Sequence, residues 1–115
     1  CLSAPYLHSP GNMVVFDPIS GFLFSGDIGA AVYGDGKPRL VIDDWNEQVK
    51  AMQGFHQRYM SSSKAVAAFI KSVAGLPIKA IVPQHGVIYR GEEVHKFFQW
   101  LRALPCGVDY LFPAA

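Results

Sequence analysis

Three side chains in this sequence join a metal-compatible donor to a placement that can aim it at one point: His8, Asp27 and His85. Each stands just past an apolar run and near a glycine. Residues 2–7 run into His8, residues 22–26 into Asp27, and residues 78–82 into Pro83-Gln84-His85-Gly86. A side chain at the exit of a covered strand projects into the crevice beyond the sheet, where open α/β sheets hold ligands. Two neutral imidazoles and a carboxylate suit zinc or non-haem iron. A carboxylate can also bridge two metals roughly 3.5–4 Å apart, one oxygen to each ion. Plainer roles stand beside this one. His8 can hydrogen-bond the Ser9-Pro10-Gly11 turn, Asp27 can stabilise a turn after Ser25-Gly26, and His85 can be an ordinary loop residue. The spacing is long-range, so no local motif decides between the readings.

Other polar residues carry less. His56 and Tyr59 fall in a helical pattern, where they can support a site or simply pack at the core edge. His95, in Glu92-Glu93-Val94-His95-Lys96, reads as part of a solvated helix start. Gly34-Asp35-Gly36-Lys37-Pro38 lacks the first glycine and the terminal Ser/Thr of a phosphate loop. Ser61-Ser62-Ser63 reads as a helix cap rather than a nucleophile. No catalytic residue is expected beyond the metal ligands.

The elements that must position these donors are legible from periodicity. Residues 2–7, 13–16 and 22–26 read as strands, the latter two joined across Asp17-Pro18-Ile19-Ser20-Gly21 as an antiparallel hairpin. Their apolar runs are continuous rather than alternating, which predicts a sheet covered on both faces. Residues 28–38 are rich in small residues and read as loop. Trp45, Val49, Met52, Phe55 or His56, and Tyr59 then fall at helical spacing. Val66, Phe69, Ile70 and Val73 define a second helix, stopped by Gly75 and Pro77. A strand over residues 78–82 and a third helix marked by Val94, Phe97, Phe98, Leu101 and Leu104 complete the chain. The order is β-β-β-α-α-β-α, an α/β layered chain.

Composition narrows the function classes. Ten Lys and Arg against nine Asp and Glu leave a charge of +1, which supplies no electrostatic footprint for nucleic acid. The tract over residues 65–82 carries Lys71 and Lys79, so no membrane span is expected. Hydrophobic residues make up 50%, enough for a packed core. Charged residues make up only 17%, against roughly 25% in typical domains. A small domain has proportionally the most surface to cover. The shortage of charge therefore predicts that part of the surface is an interface with further polypeptide. The two cysteines, Cys1 and Cys106, form no CxxC and fit a reducing cytoplasm.

The blocks His8-Ser9-Pro10-Gly11-Asn12, Leu23-Phe24-Ser25-Gly26-Asp27 and Val82-Pro83-Gln84-His85-Gly86 resemble the C-terminal half of a metallo-β-lactamase fold. More closely, they resemble the oxygen-binding diiron proteins related to flavodiiron proteins. Gly54-Phe55-His56-Gln57-Arg58-Tyr59-Met60 and the ending around Cys106-Gly107-Val108-Asp109 extend the resemblance over nearly the whole chain.

The resemblance implies the C-terminal half of an αββα sandwich, with residues 1–115 a partial domain lacking its N-terminal half. It implies that His8 binds one iron, Asp27 bridges both, and His85 binds the other. The family's remaining ligands come from an H-x-E-x-D-H motif that this sequence does not contain, so a missing half or a partner chain, a homodimer included, must supply them. Where flavodiiron reductases carry Trp-Pro-Asp after the first histidine, this chain has Ser9-Pro10-Gly11, as in the oxygen-binding branch without a fused flavodoxin. The implied function is a non-haem diiron domain that binds O₂ and reduces O₂ or NO when an external donor supplies electrons, with FMN only on a separate domain or partner. The alternative within the superfamily is a dinuclear zinc hydrolase; a third is an oxygen sensor or a bare scaffold. Apolar walls around the centre are expected from Phe16, Phe22 and Phe24.

Overall fold

The structure, a computed structural model, describes residues 2–5, 7, 12–34, 36, 37 and 39–112. Its elements run β1 (Leu2–Ser3), β2 (Met13–Asp17), β3 (Phe22–Gly26), α1 (Trp45–Tyr59), α2 (Ser63–Val73), β4 (Ala80–Pro83), β5 (Tyr89–Arg90), α3 (Glu92–Ala103) and α4 (Val108–Leu111). The expected order is present, with a two-residue strand and a one-turn helix added, but the first strand covers only Leu2–Ser3 of the expected residues 2–7 because the chain turns at Pro5.

The sheet starts from a local turn. The Asp17 carboxylate accepts from Ile19 N at 3.0 Å and Ser20 Oγ at 2.9 Å, while Gly21 N returns to Asp17 O at 2.8 Å. Those bonds favour the ionised form and hold the carboxyl below its usual pKa. The turn sets β2 against β3 with Val15 opposite Phe24 and Asp17 opposite Phe22. β3 then pairs β4 in parallel, Leu23 beside Ile81 and Gly26 beside Pro83. A parallel pair needs a long crossover; here α1 and α2 provide it. The strand order is β1-β2-β3-β4-β5, antiparallel except at β3–β4.

Both crossover helices begin where short polar side chains can cap them. Asp44 accepts from Asn46 N and Ser62 from Ala65 N, each satisfying a donor that the helix itself leaves open. The serine cluster is thus the expected cap. Val66, Phe69, Ile70 and Val73 of α2 pack with Val94, Phe97 and Leu101 of α3 over Val14, Leu23, Ile81 and Tyr89 of the sheet. Full burial of each large apolar side chain contributes roughly 1.5–3 kcal/mol.

Among the described residues the opposite sheet face has no cover, so the helices account for one of the two covers expected. Met13, Val15, Phe22 and Phe24 alternate with the buried set and remain 58, 46, 39 and 44% exposed. Continuous apolar runs do put hydrophobic residues on both faces, and the helices among the described residues cover one of them. The same alternation separates the expected apolar walls. Phe22 and Phe24 lie on the open face, whereas Phe16 pairs with Leu23 and packs on the core side.

Candidate metal centre

Two of the three predicted donors leave the sheet at the same rim. β3 and β4 are parallel neighbours with Gly26 in register with Pro83, so Asp27 and His85 follow one and two residues beyond paired positions. Gln84 N donates to Gly26 O at 2.7 Å, carrying the pairing past the strand ends. The two exit loops also touch. Gly86 has φ +110°, and a Cβ there would stand 3.1 Å from Ala31 N and 3.5 Å from Gly29 O. Only glycine allows this approach. Asp27 is half-buried and His85 exposed. An open cavity of about 480 Å³ lies against Gln84, His85, Gly86, Ala31 and Tyr33.

His8, Ser9, Pro10 and Gly11 lie outside the described residues, as do Asp35 and Pro38 of the glycine-rich loop. Asn12 is described and reaches the same rim: its Oδ1 is 3.9 Å from where a Cβ would stand on Gly26. Its Nδ2 is buried and without a hydrogen-bond partner. Among the described residues no three His, Cys, Asp or Glu side chains gather at one point. The described rim therefore offers two donors, a carboxylate and an imidazole, of the kinds that iron and zinc accept.

His56 is not a third. Its ring is fully buried, and both nitrogens are engaged: Nδ1 faces Met52 O at 2.9 Å, and Gly29 N donates to Nε2 at 2.9 Å. An acceptor at Nε2 and a carbonyl beside Nδ1 specify the neutral Nδ1–H tautomer. Phe55, Phe97 and Trp100 surround the ring with centroids 5.4, 6.3 and 5.2 Å away. Burial among them disfavours the imidazolium and lowers the pKa to about 4, against weaker opposing effects of the Met52 carbonyl and the Asp27 charge.

Tyr89 completes the setting. Its hydroxyl donates to Gly29 O at 2.8 Å and accepts from Gln48 Nε2 at 2.9 Å, with Met52 Sδ at 2.7 Å. Gln48 Oε1 in turn accepts from Tyr33 OH at 2.7 Å. Burial raises the Tyr89 pKa far above its ordinary value, so the hydroxyl keeps its proton.

Gln48, Met52 and His56 are the buried residues of α1, and their spacing of four places them on one ridge. The sequence signal was this stripe, easily passed over because two of its members are polar. Tyr59, weighed together with His56, is 53% exposed and stacks only on Phe55 at 5.3 Å among the ring contacts described. Tyr89 sits in a two-residue strand, too short for a periodic signal.

Residues 1–86 match the family model described as ODP family beta lactamase. No curated protein sequence matches the chain. Among solved structures, the chain is similar to the peroxy diiron species of the chemotaxis sensor ODP, with 42% identity and TM-score 0.87, over 94% of this chain and 46% of that one. The apo state of chemotaxis sensor ODP from T. denticola gives 42% identity and TM-score 0.86, over 94% and 44%. The flavodiiron protein from Giardia intestinalis shares the fold at 21% identity and TM-score 0.79, over 87% and 25%. The chain thus spans a little under half the length of the ODP structures it matches. Two strand exits meeting on one rim, in a sheet whose described helices pack on one face, are features of a metallo-β-lactamase-like layer pair, and the chain belongs to the ODP family of beta-lactamase-like proteins.

Proposed function

We propose that this chain is the C-terminal half of a diiron domain that binds O₂, with His8, Asp27 and His85 as its share of the ligands. The observation that carries the reading is the 42% identity to a diiron chemotaxis sensor across 94% of the chain, with Asp27 and His85 leaving paired strands on one rim. A carboxylate-bridged ferrous pair, when bound, supplies two electrons and open coordination positions to a diatomic ligand. This chain contributes the bridging carboxylate of Asp27, the exposed imidazole of His85 and a fixed rim. His56, with both nitrogens occupied, belongs to the support.

The bare sheet face supports the partial-domain reading. Four large apolar residues exposed on one sheet suit a second sheet packed against them, which would also bring the remaining ligands. Polypeptide continuous with this chain is the favoured source, since the ODP structures are about twice as long; a second copy in a homodimer is the other. The isolated 115-residue chain is therefore expected to bind a hydrophobic dye strongly and to self-associate. Phe22→Thr with Phe24→Thr should reduce both; undiminished dye binding by that variant would show that another surface is responsible.

Sensing is the favoured use, following the ODP relatives. Reduction of O₂ or NO would add an external electron donor, with FMN on a separate domain or partner. The zinc hydrolase reading gains nothing from the similar structures, two of which are named for iron and none for zinc. No helix among the described residues is long and apolar enough to cross a membrane. The cysteine usage, two residues with no CxxC, favours a cytoplasmic setting. The test is to load the full-length polypeptide containing this chain with ferrous ion anaerobically and then admit O₂. An optical change that saturates with O₂, without sustained O₂ consumption when NADH is supplied, is the expected result. Tight zinc binding with hydrolytic activity and no response to O₂ would overturn it.

A further inference from the structure

The turn that carries Asp27 is fixed from two directions at a single residue, Gly29. Within the turn, Ile28 N donates to Ser25 O at 3.1 Å, Ala30 N donates to Asp27 O at 3.0 Å, and Ser25 Oγ donates to Ile28 O at 2.6 Å. These bonds are local and close the turn on itself. Beside the bond from Gln84 N to Gly26 O at the strand end, the Gly29 backbone ties the turn to two further elements: its N–H reaches His56 on α1, and its C=O takes the Tyr89 hydroxyl from β5. Gly29 has φ +94°, which strains any other residue, and a Cβ there would stand 3.0 Å from Tyr89 Cε2, a contact the ring could relieve only by shifting. Glycine has the most backbone freedom to lose, so a turn hinged there would wander unless held.

We infer that His56 and Tyr89 form a clamp on Gly29 that positions the Asp27 carboxylate for metal. The inference rests on the functional reading above, because it assigns Asp27 to the metal. Both clamp residues are positioning residues and touch no metal. The clamp also has support behind it. Gln48 Nε2 donates to the Tyr89 hydroxyl and leaves that hydroxyl's proton to be shared between Gly29 O and Met52 Sδ, while Met52 O holds the His56 tautomer that accepts. A single ridge of α1 thus orients both arms. Groups that orient a ligand from outside the coordination shell typically govern metal affinity by about tenfold to 100-fold.

The experiment measures ferrous-ion affinity of the full-length polypeptide by anaerobic competition with a colorimetric chelator. Tyr89→Phe deletes one oxygen and leaves the ring; His56→Leu removes the acceptor for Gly29 N. Each should weaken ferrous binding about tenfold or more. His56→Gln, which can present a side-chain oxygen to Gly29 N, should recover most of the loss. Val66→Ala, in the α2 core and away from the turn, should lower the melting temperature without changing the ferrous affinity.

Wild-type affinity in folded Tyr89→Phe and His56→Leu would overturn the clamp, as would an equal loss in Val66→Ala or no recovery in His56→Gln. If His56→Leu does not fold, Tyr89→Phe decides alone. If the wild-type polypeptide takes up no ferrous ion, the functional reading fails first and the clamp's role in metal binding falls with it.

Discussion

Lowering the pH from above 6.5 to about 4 is expected to remove roughly 3 kcal/mol of stability through His56 alone. The sign follows from where the proton is welcome. In the unfolded chain His56 titrates near 6.5; in the fold it stays neutral down to about 4. The unfolded state therefore binds more protons between those values, and stability falls as pH falls through that window. Above it the histidine is neutral in both states and the contribution is complete. The magnitude is the separation of the two pKa values at about 1.4 kcal/mol per unit. The causes are specific. Three aromatic rings exclude water from the imidazole, and protonation would set a new N–H against the Gly29 N–H. Asp17 has the same sign in a lower window: its stabilised carboxylate contributes above the ordinary 3.8, and that contribution is lost as pH falls below it. The windows do not overlap, so the two can be told apart. Urea titrations of the full-length polypeptide at pH 7, 5 and 4 check the prediction, with His56→Gln flattening the dependence between 6.5 and 4. A wild-type curve as flat as that of His56→Gln would show that the ring is not held neutral.

Gly107→Ala is expected to cost at least roughly 3 kcal/mol and to lower the melting temperature by on the order of 10 °C. Gly107 adopts φ +55°, ψ −122°, a region closed to side-chain-bearing residues. A Cβ there would overlap the carbonyl oxygens of Met60 and Ser61, which are backbone atoms and cannot rotate away. The residue also holds the corner between α1 and α2. Gly107 N donates to Gln57 O at 2.8 Å, Val108 N to Ser61 O at 3.0 Å, and the Asp109 carboxylate accepts from Ser63 N at 2.7 Å. Displacing the backbone to admit a methyl group would break these together. Calorimetry of the variant beside Gly91→Ala makes the comparison sharp: Gly91 also has positive φ, but a Cβ there meets nothing within 4 Å. Equal losses in the two variants would mean that backbone strain, rather than overlap, sets the cost.

Much of the architecture was legible because its signals are local. Ser62 reads as a cap from its place before an apolar stripe, and it does cap α2. The period of Val94, Phe97 and Leu101 marks α3 because those residues face one way only on a helix. Gly54 did not end α1, since it sits exposed with no neighbour within 4 Å of a would-be Cβ and costs only about 1 kcal/mol.

The missed features depend on long-range contacts. His56 resembles a core-edge residue in any window of its own helix, and its role appears only when Gly29 arrives from 27 positions away. Tyr89 meets Gly29 from 60 positions away. Strand composition showed that both faces of the sheet are apolar, yet what covers the second face is not encoded in these strands. Asp27 and His85 stand out in the sequence as proposed ligands because strand exits are recognisable, and the parallel β3–β4 register sets both past the same end of the sheet.

The most direct test of the central claim is iron content after anaerobic ferrous loading, for the full-length polypeptide and its Asp27→Ala variant. A bridging carboxylate predicts two irons per polypeptide in the wild type and no more than one in the variant, with the secondary structure unchanged. Two irons retained by Asp27→Ala would contradict the assignment of this rim as half of a diiron centre.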